Sequence, residues 1–133
     1  MPTPFRVTLV TPEQQVLEED VTYASIPAWD GQIGFEHLRA PILLKLGQGL
    51  LRLDSVSGGQ KWFYLGGGFA QMKDDKLTLL TGEAVPATAA DKAKAEAELT
   101  KALAEVPTSD DALAKKERET HRARGLLELA EKK

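Results

Sequence analysis

"LLTGEAVPATAADKAKAEAEL", Leu79 to Leu99, is the stretch on which the fold turns. Up to Pro86 the chain alternates apolar and polar residues, the period of two that places one face of a strand against a core. Beyond it, "TAADKAKAEAELTKALAEV" is rich in alanine and has neither glycine nor aromatic residue, a composition with high helix propensity. The chain therefore reads as two units, residues 1–86 in strands and residues 87–133 in helices.

In the first unit Phe5, Val7 and Leu9 alternate with Arg6 and Thr8, and Val21 and Tyr23 mark one face of the next segment. Further short apolar runs follow at Ile33–Phe35, Ile42–Leu46, Leu50–Leu53, Lys61–Leu65, Phe69–Met72 and Leu77–Leu80. Turn signals separate them at Thr11-Pro12-Glu13, Asp30-Gly31, Gly47-Gln48-Gly49, Ser57-Gly58-Gly59 and Lys73-Asp74-Asp75-Lys76. Many short strands with regular punctuation predict a β-sandwich or flattened barrel. Both tryptophans fall in this unit and are expected to contribute to its core.

The second unit predicts a two-helix antiparallel hairpin, because the connection at Pro107-Thr108-Ser109 is short. Thr88 with Asp91, and Thr108 with Asp111, resemble capping pairs. Ala95, Leu99, Ala102, Leu103 and Val106 fall on one face of the first helix. The second has its anchors at Ala112, Leu113, Ala123, Leu126, Leu127 and Ala130, with a polar interruption from Lys115 to Arg122. Such a helix is expected to dock weakly and to be open to capture by another surface.

Composition removes several classes of function. There is no cysteine, which excludes disulfide scaffolds, thiolate metal sites and cysteine nucleophiles. A net charge of -3 gives no global attraction to nucleic acid or to an anionic membrane. No apolar run is long enough to span a bilayer, and the start lacks the pattern of a signal peptide, so a reduced compartment is expected. The only histidines, His37 and His121, lie one in each unit without a metal-ligand spacing, so no metal site is expected. Leu65-Gly66-Gly67-Gly68-Phe69 precedes a strand and not a helix N-terminus, so it reads as a bulge or a close backbone approach and not a phosphate loop. Lys115, Lys116, Arg118, Arg122 and Arg124 outnumber Glu117 and Glu119 between residues 115 and 124. That run is either a solvated face with i,i+4 pairs or a patch for an acidic partner.

Taken in order, these pieces resemble the epsilon subunit of bacterial and chloroplast-type ATP synthase over nearly the whole chain. "FRVTLVTPEQQVLEEDV" is similar to that family's opening strand, Thr-Pro-Glu turn and return strand. "DGQIGFEHLRAPILLKLGQGLLRL" resembles its Gly-x-hydrophobic-Gly segment and Ala-Pro loop, and "WFYLGGGFAQMKDDKLTLLTGEA" its Gly-Gly-Phe strand and last strand. The resemblance implies a flattened β-sandwich of about ten strands with a C-terminal helix hairpin. It implies a non-catalytic rotor subunit of the proton-translocating enzyme, with no cofactor. Its β-domain would bind the gamma subunit and touch the c-ring loops, and its helices would restrain ATP hydrolysis. It also implies a peripheral position on the cytoplasmic face of the bacterial plasma membrane, or on the plastid thylakoid, without membrane insertion.

Residue by residue, the resemblance implies that Glu36, His37 and Arg39 face the c-ring and gamma. The family usually has Pro-Gly-His before Ala-Pro; here Arg39 stands at the histidine position and His37 two positions earlier. It implies that Lys115, Lys116, Arg118, Arg122 and Arg124 meet an acidic segment of the beta subunit when the helices extend. Some members bind ATP through Asp-x-x-Arg-Ala; the matching residues are Asp91 to Ala95, with Lys94 in place of arginine. Asp91 and Lys94 are thus weak nucleotide candidates, because lysine lacks the planar fork of arginine.

Two other classes compete. A free-standing β-sandwich module for a sugar or small ligand requires a pocket lined by Trp29, Trp62, Tyr64 and Tyr23. A jelly-roll metalloenzyme requires more histidines than the chain has.

Overall fold

A computed structural model describes residues 3–37 and 40–132. Seven strands precede two helices: β1 (Phe5–Val10), β2 (Gln15–Ala28), β3 (Gly31–Phe35), β4 (Ile42–Ser55), β5 (Gln60–Lys73), β6 (Lys76–Thr81) and β7 (Ala84–Pro86). A 3-10 turn at Ala87–Ala89 leads to α1 (Lys92–Ala104) and α2 (Asp110–Ala130).

The strands hydrogen-bond in the order β1-β6-β5-β4-β2-β3, and a further β1–β2 pairing closes the sheet on itself. β1 and β6 run parallel, and the other pairings are antiparallel. Closure leaves few exposed strand edges. The strands β2, β4 and β5 are 14 residues each and serve both layers, so counting each of their halves gives the ten strands expected. Gly47-Gln48-Gly49, expected as a turn, lies inside β4 and pairs across to Gly66 and Leu65.

The core alternates as the sequence does. Phe5, Val7 and Leu9 face inward with Ile26, Phe35, Leu51, Leu53, Leu65, Met72, Leu77 and Leu79. Each such side chain contributes roughly 1.5–3 kcal/mol on burial. The core is aliphatic with three phenylalanines, and the tryptophans are not in it. Trp29 is 69% exposed at the β2–β3 turn, and Trp62 is half-buried beneath α2.

The helix caps lie three residues beyond Thr88 and one beyond Thr108. The side chain of Asp91 accepts from the Lys94 N–H at 3.2 Å, and Ser109 accepts from Ala112 at 3.1 Å. Thr88 sits in the 3-10 turn. In α1, Ala95 and Ala102 are buried, whereas Leu103, and Val106 beyond the helix end, are exposed. In α2 the residue buried most completely with Ala123 is Leu129, which the sequence reading left out, while Leu113 is exposed.

Candidate functional site

Two surfaces on opposite sides of the sandwich carry the chemistry. The first begins with β5 and β6. Phe69 is register partner to Leu80, Leu80 to Val10, and Lys45 to Phe69. Their neighbours Ala70, Met72 and Leu79 point into the core, so alternation turns Phe69 and Leu80 outward. Leu43 lies one diagonal away on the same face. Leu43 is 70% exposed, Phe69 54% and Leu80 51%: an apolar row on a face that the described residues leave open. Contiguous exposure of large apolar side chains on a folded domain marks a contact surface.

The loop beside it holds Glu36, exposed, and His37, whose Nδ1 lies 3.2 Å from Asp75 Oδ2. Asp75 and Asp74 form the β5–β6 turn, both with positive φ (58° and 53°). Both central residues therefore adopt the left-handed backbone favoured in tight hairpins. Arg39 lies outside the described residues. Glu36 and His37 also line a polar cleft of about 610 Å³ with Tyr23, Arg52 and Asp54. Hydrogen bonds from Arg52, both 2.9 Å, hold the Asp54 carboxyl below its ordinary pKa.

The second surface is the seat of α2. Arg122, Leu126 and Leu129 share one face of that helix by their i, i+4 and i+7 spacing. They meet the outer side of β4 and β5, where Leu50, Trp62 and Tyr64 form a second apolar cluster with Leu126, Leu129 and Ala130. Arg122 is the polar counterpart. Its Nε and Nη2 donate to the two carboxylate oxygens of Glu83 at 3.0 and 2.8 Å, and Nη1 donates to Glu98 Oε2 at 3.0 Å. One guanidinium thereby ties α2 to both the β-domain and α1. The Glu83 bonds push its pKa above the ordinary arginine value, so the charge is permanent. Glu83 is itself fixed, because its carbonyl accepts from the Gly66 N–H and the Thr81 hydroxyl, each at 3.0 Å. His121 adds a bond, its Nε2–H donating to the Gln48 carbonyl at 2.9 Å.

The five cations expected to act together are therefore divided. Arg122 faces inward, and Lys115 pairs with Glu119 at 3.8 Å. Lys116 and Arg124 line an open cleft of about 600 Å³ with Leu103, Leu113 and His121, and Arg118 is exposed. Asp91 and Lys94 border a cavity of about 200 Å³ with Glu98, Arg122 and Leu126. That is below the roughly 300–1,000 Å³ of ordinary ligand pockets. Glu83 and Glu98 already occupy the guanidinium that a phosphate would need. The sequence reading missed Glu83 and Tyr64 as partners of α2; no local pattern announces a contact 39 residues long in sequence.

Tyr64 is fully buried, and its hydroxyl makes no well-formed hydrogen bond to any described residue, the Gln48 side chain being its one weak polar neighbour among them. Burial, and then the nearby Glu83 carboxylate, raise its pKa to about 12. Since the folded value lies above the ordinary one near 10, the stabilisation is complete below about pH 10 and is lost as pH climbs towards 12. The docked helix will loosen in that window, seen as a change in Trp62 emission. Tyr64→Phe will shift the loosening to higher pH at little cost at neutral pH, because the hydroxyl it removes makes no well-formed hydrogen bond. Coincident titrations of the two proteins would contradict this. The Lys132 side chain, 4.6 Å from the Trp62 ring centre, is common to wild type and variant, so the comparison isolates Tyr64.

Comparison with known proteins shows the family and the fold. The family described as "ATP synthase, Delta/Epsilon chain, beta-sandwich domain" matches residues 4–87. The ATP synthase epsilon chain of Rhodopirellula baltica is 40% identical over 124 residues, covering 92% of this chain and 95% of the relative. That of a Synechococcus strain is 33% identical, covering 94% and 92%. Among solved structures, a chain of the Euglena gracilis mitochondrial ATP synthase (OSCP/F1/c-ring) superimposes with a TM-score of 0.86 at 23% identity, covering 95% of this chain and 81% of its own. A chain from the central stalk and c-ring of the Tetrahymena thermophila enzyme gives 0.67 at 15% identity, covering 96% of each. At those identities the structures speak for the fold alone.

Proposed function

This chain belongs to the ATP synthase epsilon-chain family, a non-catalytic stalk component of a membrane-associated complex, and from that membership we propose that it is a coupling and regulatory subunit of the rotor. Its β-domain grips the gamma subunit and meets the c-ring loops through the Glu36–Pro41 loop. Its hairpin restrains ATP hydrolysis when α2 leaves its seat and offers Lys115, Lys116, Arg118, Arg122 and Arg124 to an acidic segment of the beta subunit. The observation that carries the reading is the apolar row of Leu43, Phe69 and Leu80, set opposite the seat of α2. An apolar side for the shaft and a separate, salt-bridged side for the tail are what a subunit with one permanent and one switchable contact needs.

No helix among the described residues is long and apolar enough to cross a membrane. We place the chain peripherally, on the cytoplasmic face of a bacterial plasma membrane or on a thylakoid. The sugar-module reading requires convergent aromatic side chains. Instead Trp29 lies exposed at a hairpin tip, Trp62 and Tyr64 lie under α2, and Tyr23 lies under the Arg52 guanidinium at 5.3 Å.

The test is gel filtration of the full chain with purified gamma, followed by ATPase assays of the catalytic head with and without the chain. Co-elution and slowed hydrolysis support the proposal, and separate elution rejects it. Tight nucleotide binding is not part of the function. With a Kd above about 1 mM, 1 mM Mg-ATP adds less than about 0.4 kcal/mol of stability, so the melting temperature should barely move. A rise of several degrees would reverse that assignment.

A further inference from the structure

A glycine inside a long helix is unexpected: relative to alanine it lowers helix formation about fivefold per site. Gly125 sits in α2 five residues before its last, Ala130, and is not a cap. Its reason is on the facing strand. A Cβ built on Gly125 would lie 2.7 Å from Tyr64 Cε2 and 2.8 Å from Cδ2, closer than carbon atoms approach. The ring cannot easily retreat, because Tyr64 is fully buried among Leu50, Leu126 and Leu129. Arg122 and Leu129 flank Gly125 on the same side of the helix. The Glu83 arm of the Arg122 clasp therefore needs the helix at the sheet, while the Glu98 arm holds α2 to α1.

We propose that Gly125 and Tyr64 are positioning residues, a steric key that selects the seat of α2 and lets the Arg122 clasp close without any nucleotide. The key rests on the close approach and the clasp rests on the key. Removing the fit should release the helix while making it a better helix. That combination separates docking from folding. The functional consequence, a stronger brake on hydrolysis when the key is broken, rests on the rotor reading above. The docking itself does not, since the isolated full chain displays it.

The experiment uses three full-length proteins: wild type, Gly125→Ala, and Gly125→Ala with Tyr64→Leu, which removes the ring atoms that the new methyl would strike. Amide exchange along α2 and Trp62 emission report docking, and far-UV circular dichroism reports helicity. The single variant should keep or gain helicity, exchange α2 amides at least about tenfold faster and red-shift Trp62. The double variant should recover much of the protection. Two outcomes would overturn the proposal: unchanged exchange in Gly125→Ala, meaning that the ring moves aside, or release that the double variant does not reverse. Tyr64 lies outside the main sandwich core, so loss of the β-domain's normal melting transition identifies any variant that has merely failed to fold. Failure here leaves binding to gamma untouched, and failure of gamma binding leaves the key untouched.

Discussion

Gly68→Ala will destabilise the chain by more than about 3 kcal/mol, measured as a fall in the urea midpoint. Two effects combine at this residue. Its φ of +129° belongs to a region that residues with a Cβ avoid, at a cost of about 1–3 kcal/mol. The added methyl would also strike the Leu80 carbonyl and come within 2.9 Å of Thr81 Cα, which are backbone atoms with nowhere to go. β6 would have to slide, and the register Gly68↔Thr81 and Phe69↔Leu80 would break. Gly82→Ala is the control: it has open space and no left-handed backbone, so its midpoint should match wild type to within about 0.5 kcal/mol. Equal midpoints for the two variants would mean that the β5–β6 approach is not tight in solution.

The second large effect is on binding. Phe69→Thr together with Leu80→Thr should weaken affinity for gamma by about 100-fold or more. Truncating a central apolar anchor of an interface commonly costs 2 kcal/mol or more, and each 1.4 kcal/mol is a factor of ten. Both side chains are about half exposed in the isolated chain, so little of the sandwich core is disturbed. Threonine keeps the strand propensity of the positions. The melting temperature should therefore stay close to wild type while the affinity collapses. Retained affinity would move the gamma contact elsewhere. A collapsed melting temperature would show that the row supports the fold and does not serve a partner.

The strands and the helix hairpin were legible because both rest on local periodicity, as in Phe5-Val7-Leu9 against the run after Asp91. Periodicity cannot tell one long bent strand from two short ones, which is why β4 reads as two strands with a glycine turn between them. It cannot tell which apolar side chains of a helix face a neighbour when the neighbour is distant in sequence. Leu103 and Val106 keep helical spacing yet remain exposed, and Leu129 was passed over. In sequence Arg122 is one of five equivalent cations, because its partners do not lie near it in the chain. Its partners, Glu83 and Glu98, are 39 and 24 residues away. The glycine in α2 carried the one available signal of close docking, since such a residue in a helix interior asks for a packing reason.

The claim that the sandwich has one side for the shaft and the opposite side for the tail is tested most directly by amide exchange of the full chain with and without saturating gamma. The account predicts added protection along β1, β6, the Ile42–Leu46 half of β4 and the Gly68–Lys73 half of β5, with exchange in α2 unchanged. Protection appearing on α2 and the Leu50–Tyr64 side, or none at all, would contradict it.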